Sequence, residues 1–242
     1  IAIPTFNRLD VLKRCLESID SNMSKSKYSI TVFVSNNKSP DNTNIFLNKF
    51  KHLSKNIYFS YVNRTENIGG TENIRNMLQS IKTKYILWLT DDDYFLPNVL
   101  EKLINYIIRN KPNYLRIASV THLIKSHTFS YFGLKKSGEV DVSSTKYVDL
   151  LLLSNQLSGT FVKNSDVFKK YILSKEYIYI CTDMMLFFKS KIYSFNEPLI
   201  IHTWENDLFW NHELRKLKIN NIRSKLINFS IDFQSCIYES RN

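Results

Sequence analysis

The sequence predicts an α/β fold, a mostly parallel sheet flanked by helices, and three observations carry that expectation. Short β-branched or aromatic runs alternate with stretches of helical period through the first 110 residues, which is the pattern of strands joined by crossover helices. Polar, turn-rich loops follow each of the first four strand-like runs, and in an open α/β sheet ligands bind outside the carboxyl ends of the strands. The fourth run, Tyr85-Ile86-Leu87-Trp88-Leu89, passes directly into Thr90-Asp91-Asp92-Asp93-Tyr94, so three carboxylates stand where a buried strand reaches water.

Ile1 to Pro4 reads as the first strand. Leu9, Val11, Leu12, Leu16 and Ile19 then recur at helical spacing behind the turn formers Asn7 and Asp10. Ser29 to Val34 is the second strand, Asn36 to Asn44 a loop, and Ile45, Leu47 and Phe50 mark a helix. Ile57 to Val62 is the third strand, Asn67-Ile68-Gly69-Gly70 a turn, and Asn73 to Lys82 a helix leading into Tyr85 to Leu89. Pro97 suits the first turn of a helix carried by Val99 to Ile108. Farther on, Tyr114 to Leu123, Thr128 to Phe132, Gly159 to Val162 and Leu199 to Thr203 read as strands. Tyr147 to Leu153, Asp166 to Leu173 and Met184 to Lys189 read as helices. A single domain is expected over 1–242, with a nucleotide-binding half (1–110), an acceptor-facing half (111–210) and a basic C-terminal helical segment (211–242).

Composition bounds the class. At 242 residues with 43% hydrophobic side chains, five glycines and five prolines, the chain can bury a large core and has no low-complexity linker. Cys15, Cys181 and Cys236 are odd in number and lack CxxC spacing, which argues against a zinc site or disulfide framework and for a reducing, cytoplasmic setting. The opening reads as a strand, so a signal peptide is not expected, nor is a membrane span. The net charge of +11 invites a nucleic-acid reading, but the lysines are spread among Asn and Ile and no nucleic-acid module is visible, so no nucleic-acid partner is expected. His212 to Lys225 would form a basic amphipathic helix, suited to peripheral contact with the inner face of the cytoplasmic membrane; a docking helix with a solvated basic face is the alternative.

Carboxylates as crowded as Asp91, Asp92 and Asp93 repel unless a cation or hydrogen-bond donors neutralise them. A hard divalent ion, Mg²⁺ or Mn²⁺, held between one or two carboxylates and substrate phosphates is the simplest neutraliser. The competing explanation, an acidic turn capping the next helix, does not account for the convergence of Thr5 to Arg8, Ser35 to Asp41, Arg64 to Asn73 and Asp91 to Asp93 at strand ends.

These segments resemble the family 2 glycosyltransferases of the GT-A fold, whose Rossmann-like sheet is mixed and mostly parallel. Ile1-Ala2-Ile3-Pro4-Thr5-Phe6-Asn7-Arg8 is similar to the family's opening strand and loop, Ser35-Asn36-Asn37-Lys38-Ser39-Pro40-Asp41-Asn42-Thr43 to its second loop, and Asn67-Ile68-Gly69 with Asn73 to its third. Leu89-Thr90-Asp91-Asp92-Asp93-Tyr94 is similar to its metal and diphosphate motif. The resemblance implies nucleotide contacts from Pro4, Thr5, Asn7, Arg8, Asn36, Asn67, Gly69, Asn73 and Asp91. It also implies a Mg²⁺ or Mn²⁺ site at Asp92 with Asp91 or Asp93. Cys181-Thr182-Asp183-Met184 resembles the segment carrying the family's catalytic base, Asp183, with a helix cap as the alternative. Pro198-Leu199-Ile200-Ile201-His202 resembles the late strand whose histidine approaches the metal or diphosphate, against an ordinary strand histidine.

The implied reaction is transfer of a sugar, with inversion, from a nucleotide-diphosphate donor to an acceptor hydroxyl on a bacterial glycan or lipid-linked glycan. UDP is the expected carrier, with dTDP, CDP and GDP open because Asn36 stands where many members have Asp, and Asn both donates and accepts. A nucleotidyltransferase is disfavoured because the loop Thr5-Phe6-Asn7-Arg8 has no glycine. A non-catalytic nucleotide- or carbohydrate-binding protein of the same fold is the remaining alternative.

Overall fold

The computed structural model describes residues 1–50, 54–123, 128–141, 144–145, 149, 156–173, 184–185, 187–188 and 191–204. In chain order the strands are β1 (Ala2–Thr5), β2 (Ile30–Asn36), β3 (Ile57–Asn63), β4 (Tyr85–Leu87), β5 (Tyr94–Phe95), β6 (Tyr114–Leu123), β7 (Thr128–Phe132), β8 (Gly138–Glu139), β9 (Thr160–Lys163) and β10 (Ile192–Trp204). The helices are α1 (Leu9–Met23), α2 (Thr43–Lys49), α3 (Gly69–Ser80), α4 (Leu100–Asn110) and α5 (Asp166–Leu173).

β1, β2 and β3 pair in parallel. A parallel bridge between Ala2 and Trp88, with the Leu89 N–H on the Ala2 carbonyl at 3.1 Å, brings the end of β4 alongside β1. The chain of strands then runs β4, β9, β6, β10, β5. β9 is antiparallel to β4 and β6, β10 is parallel to β6, and β5, β7 and β8 add antiparallel pairings. The sheet is mixed: parallel over β1, β2, β3 and the end of β4, as the alternating pattern of the first half requires, and parallel again between β6 and β10. β1 has β2 on one side and β4 on the other, so the strand order reverses between β1 and β4, where such sheets form their ligand crevice.

Each central strand buries both faces, because successive side chains point to opposite sides. Ile3, Val32, Val34, Leu87 and Leu89 meet Leu12, Cys15, Leu16 and Ile19 of α1, Leu47 of α2 and Leu100, Leu103 and Tyr106 of α4. On the other face Ala2, Ile86 and Trp88 meet Ile74, Met77 and Leu78 of α3 and Phe168 and Ile172 of α5. Leu12, Leu16 and Ile19 of the stripe that predicts α1 therefore face the sheet, whereas Ile45 of α2 and Ile108 of α4 are exposed. Helix ends are held from elsewhere in the chain: Asn22 Oδ1 accepts the N–H groups of Val99 (2.8 Å) and Leu100 (3.1 Å) at the start of α4, and Lys111 closes α4 in the left-handed conformation with its N–H on the Ile107 carbonyl.

Several boundaries differ from the sequence expectation: β2 runs from Ile30 to Asn36 rather than Ser29 to Val34, α2 begins at Thr43 inside the expected loop, and α4 begins at Leu100, so Pro97 lies ahead of the helix rather than in its first turn. α3 begins at Gly69 rather than Asn73, with Ile68 as its N-cap residue and Asn67 Oδ1 accepting the Gly69 N–H at 2.9 Å just ahead of the first turn. β10 starts at Ile192, well before Leu199, and carries Pro198 within a register shift between Phe195 and Ile200, the kind of irregularity where a strand tolerates proline. β5 and β8 are two-residue strands that leave no periodicity to read. Of the expected helix over Tyr147 to Leu153 only Asp149 is described, in helical conformation, and the segment 211–242 lies outside the described residues, while Met184, Met185 and Phe187 are helical as expected. No described helix is long and apolar enough to cross a membrane.

Candidate active site

The polar loops after β1, β2, β3 and β4 gather at one end of the sheet and are tied together by hydrogen bonds between them. The Asn37 N–H donates to the Thr5 carbonyl and the Arg64 N–H to the Asn36 carbonyl, both at 3.0 Å. Asn7, in the left-handed conformation that Asn tolerates better than most residues, donates its N–H to Ser39 Oγ at 2.8 Å. Asp41 accepts the Leu9 N–H at 3.1 Å and the Thr43 N–H at 3.0 Å, so one carboxylate caps both α1 and α2.

Three asparagines of the expected nucleotide set are engaged within this framework. Asn36 is 1% exposed; its Oδ1 accepts the Ser39 N–H and hydroxyl, and its Nδ2 donates to Asn63. Asn67 Oδ1 accepts from Asn37 Nδ2 and the Gly69 N–H. Asn73 Oδ1 accepts from Ser35 Oγ and Arg64 Nε. As arranged, these amides shape the loops; Pro4 and Thr5 end β1, Asn7 and Arg8 lie in the loop that follows, and Gly69 starts α3.

At the switch point, Arg8 Nη1 spans Asp91 Oδ1 (3.1 Å) and Asp92 Oδ2 (2.7 Å). The pairs join the β1 and β4 ends. Asp91 is buried, and burial, with the Asp92 charge adding and Arg8 opposing, pushes its carboxyl up to about 7. The Asp92 side chain is 33% exposed; burial and the neighbouring Asp93 charge raise its pKa against the pull of Arg8. Asp93 behaves in the opposite way. Burial raises it, but hydrogen bonding and charge from His202, helped by the Thr90 hydroxyl, bring it below the ordinary carboxylate value.

Asp93 Oδ2 stands 2.7 Å from His202 Nδ1 and 2.7 Å from Thr90 Oγ1, and Oδ1 accepts the Thr203 N–H at 3.3 Å. A carboxylate on one ring nitrogen fixes the tautomer and aim of the other. His202 Nε2 is buried with no hydrogen-bond partner among the described residues. Arg14 of α1 reinforces the cluster from beneath, donating to the Asp92 carbonyl (3.0 Å) and Thr203 Oγ1 (2.8 Å) while stacking over Tyr94. Sequence reasoning missed Arg14, Ser158 and Thr203, which carry no motif of their own, and named Asp41 only as part of the second loop.

Among the described residues no three His, Cys, Asp or Glu side chains form a ready-made metal cage. That fits Mg²⁺ or Mn²⁺, which keep several waters and take one or two protein ligands beside substrate phosphates. The unpartnered His202 Nε2 and the part-exposed Asp92 carboxylate are donors of the right chemistry. Asp183 lies outside the described residues. A separate cavity of about 670 Å³ sits at the opposite ends of the strands, lined by Leu100, Leu103, Ile107 and Phe161, and shares none of this polar machinery.

Residues 1–139 match the family described as Glycosyl transferase family 2. The poly(ribitol-phosphate) beta-glucosyltransferase of Bacillus spizizenii is 32% identical over 113 residues, covering 46% of this chain and 17% of that protein. The GalNAc(5)-diNAcBac-PP-undecaprenol beta-1,3-glucosyltransferase of Campylobacter jejuni is 23% identical over 217 residues, covering 88% and 62%. The chain thus spans no more than 62% of the length of either relative. In structure, residues 1–349 of S. aureus TarS in complex with UDP-GlcNAc align with a TM-score of 0.67 over 85% of this chain and 58% of that one, at 17% identity, a likeness of fold. With the family match over more than half of its length, the GT-A architecture and the acidic cluster at the switch point, this chain belongs to the family 2 glycosyltransferases.

Proposed function

We propose that this chain transfers a sugar, with inversion, from a nucleotide-diphosphate donor to a hydroxyl of a bacterial surface glycan or lipid-linked glycan, at the cytoplasmic face of the membrane. The observation that carries the reading is the convergence of Arg8, Asp91, Asp92 and the Asp93–His202 pair at the β1–β4 switch point. The TarS structures with UDP-GlcNAc and UDP support UDP as carrier, and the glucosyltransferase relatives support a glycan acceptor.

Asp92 and His202 Nε2 would hold Mg²⁺ or Mn²⁺, with Asp93 orienting His202. When bound, the ion offsets charge gathering on the departing diphosphate. Asp91 faces the ribose. Arg8, which neutralises Asp91 and Asp92 in the structure, is placed to exchange that role for the diphosphate. Asp183 takes the proton from the acceptor hydroxyl as its oxygen attacks the anomeric carbon from the face opposite the leaving group, so a single displacement inverts the configuration.

A nucleotidyltransferase would need the first loop and the α1 N-terminus free for phosphates, whereas the Leu9 N–H is bound by Asp41. The test is a thermal-shift screen of UDP, dTDP, CDP and GDP, each with and without Mn²⁺. A metal-dependent rise for one nucleotide, followed by hydrolysis or transfer of its sugar, is the expected result. No shift at millimolar ligand would refute the donor site, and a shift without turnover of any donor sugar would leave a binding protein.

A further inference from the structure

Beneath the acidic cluster lies a support that begins at Arg116. This β6 residue is 1% exposed. Its Nη1 donates to the carbonyls of Gln156 (2.8 Å) and Ser158 (2.7 Å) and to Thr160 Oγ1 (3.2 Å), and its Nη2 donates to Gln156 Oε1 (3.0 Å). A rigid, always-charged fork meeting this many oxygens fixes the 156–160 turn. Two further bonds lock the turn to the sheet, the Gly159 N–H on the Trp88 carbonyl (3.0 Å) and the Ile117 N–H on the Gly159 carbonyl (2.9 Å).

The turn delivers one side chain to the site. Ser158 Oγ accepts the Thr90 N–H at 2.7 Å and stands 2.8 Å from Thr90 Oγ1, which is in turn 2.7 Å from Asp93 Oδ2. Each hydroxyl has one proton to give, and a carboxylate only accepts. Thr90 therefore donates to Asp93, and Ser158 donates to Thr90. The order is one-way, from Ser158 through Thr90 to Asp93, and Asp93 meets His202 Nδ1 at 2.7 Å. Linked bonds of this kind reinforce one another in a site shielded from water.

On the donor-site assignment made above, we propose that Ser158, locked by Arg116, is a positioning residue for the donor. Through Thr90 it sets where Asp93 and His202 stand, and so the geometry in which His202 Nε2 and Asp92 meet the cation-bound diphosphate. Ser158 touches no substrate in this role.

The experiment measures the affinity for UDP by titration calorimetry, with and without Mn²⁺, for wild type, Ser158→Ala, Thr90→Val and Thr90→Ser; dTDP, CDP or GDP replaces UDP if the wild type prefers it. Ser158→Ala and Thr90→Val should weaken the Mn²⁺-dependent affinity by about 10-fold to 100-fold, the range for residues that orient metal ligands, with metal-free affinity unchanged. Thr90→Ser, which restores the hydroxyl, should return to within about threefold of wild type on the same grounds. Affinity with Mn²⁺ unchanged in both hydroxyl-removing variants would overturn the proposal, as would an equal loss with and without Mn²⁺. Thr90→Val, close to isosteric, carries the test if Ser158→Ala does not fold. A wild type that binds none of the four nucleotides would instead overturn the donor-site assignment, and this inference with it.

Discussion

Replacing Gly159 with alanine tests whether the turn that reaches the active site is as tightly specified as its geometry implies. Gly159 has φ +79°, a conformation that costs an L-residue about 1–2 kcal/mol. A Cβ there would come within 3.1 Å of the Ile117 carbonyl oxygen and 3.3 Å of Ile200 Cδ1. Both neighbours lie in adjacent buried strands, so relieving the crowding costs about 1–3 kcal/mol more. The restricted unfolded chain returns about 0.4–1 kcal/mol. The net loss is about 1–5 kcal/mol, a substantial share of a typical domain's stability. Urea unfolding followed by tryptophan fluorescence measures it as a lower midpoint at unchanged slope. Gly70→Ala is the control: α3 leaves open space around Gly70, so the same chemical change should stabilise by about 0.5–1 kcal/mol. A Gly159→Ala protein within about 0.5 kcal/mol of wild type, the usual spread for inconsequential substitutions, would refute the reasoning.

Other expectations address the charges. Asp183→Asn should retain nucleotide affinity while the transfer rate falls by about two to four orders of magnitude; an unaltered rate removes Asp183 from the mechanism. Asp92→Ala should weaken Mn²⁺-dependent nucleotide binding and change the melting temperature little, because a part-exposed pair with Arg8 contributes about 1 kcal/mol or less; undiminished affinity in Mn²⁺ would assign the metal elsewhere. In metal-free protein, Asp91 binds its proton more tightly folded, at about 7, than its ordinary 3.8, so this residue makes stability fall as pH rises from about 4 to 7. At about 1.36 kcal/mol per unit, Asp91→Asn should gain up to about 4 kcal/mol relative to wild type at pH 8 and nothing below pH 4, less what the Arg8 pair contributes. Parallel stability profiles for the two proteins would show that Asp91 is not held protonated by burial.

Local pattern made much of the first half legible. Leu12, Leu16 and Ile19 could only be a buried helical stripe, and the polar loops behind each strand pointed to one edge of the sheet. Asp91 to Asp93 announced themselves because three adjacent carboxylates need a reason. The rest was hidden by distance along the chain. Ser158 is 68 residues from the Thr90 N–H it receives, and Arg14 is 189 residues from the Thr203 hydroxyl; neither leaves a trace in periodicity or spacing. Asn36, Asn67 and Asn73 were legible by position as residues of the strand-end loops, but that their amides bond to neighbouring loop groups was decided by side-chain packing.

The sequence by itself determined the alternating α/β order, the two-sided burial of the central strands and the placement of an acidic cluster at a strand end, because each follows from local hydrophobic period and local charge. Tertiary structure alone decided that the three aspartates differ. Arg8 from the first loop claims Asp91 and Asp92, while His202 from the last described strand claims Asp93. The physical reason is that a carboxylate's proton affinity and availability depend on burial and on the partners brought to it, and here those partners come from opposite ends of the chain.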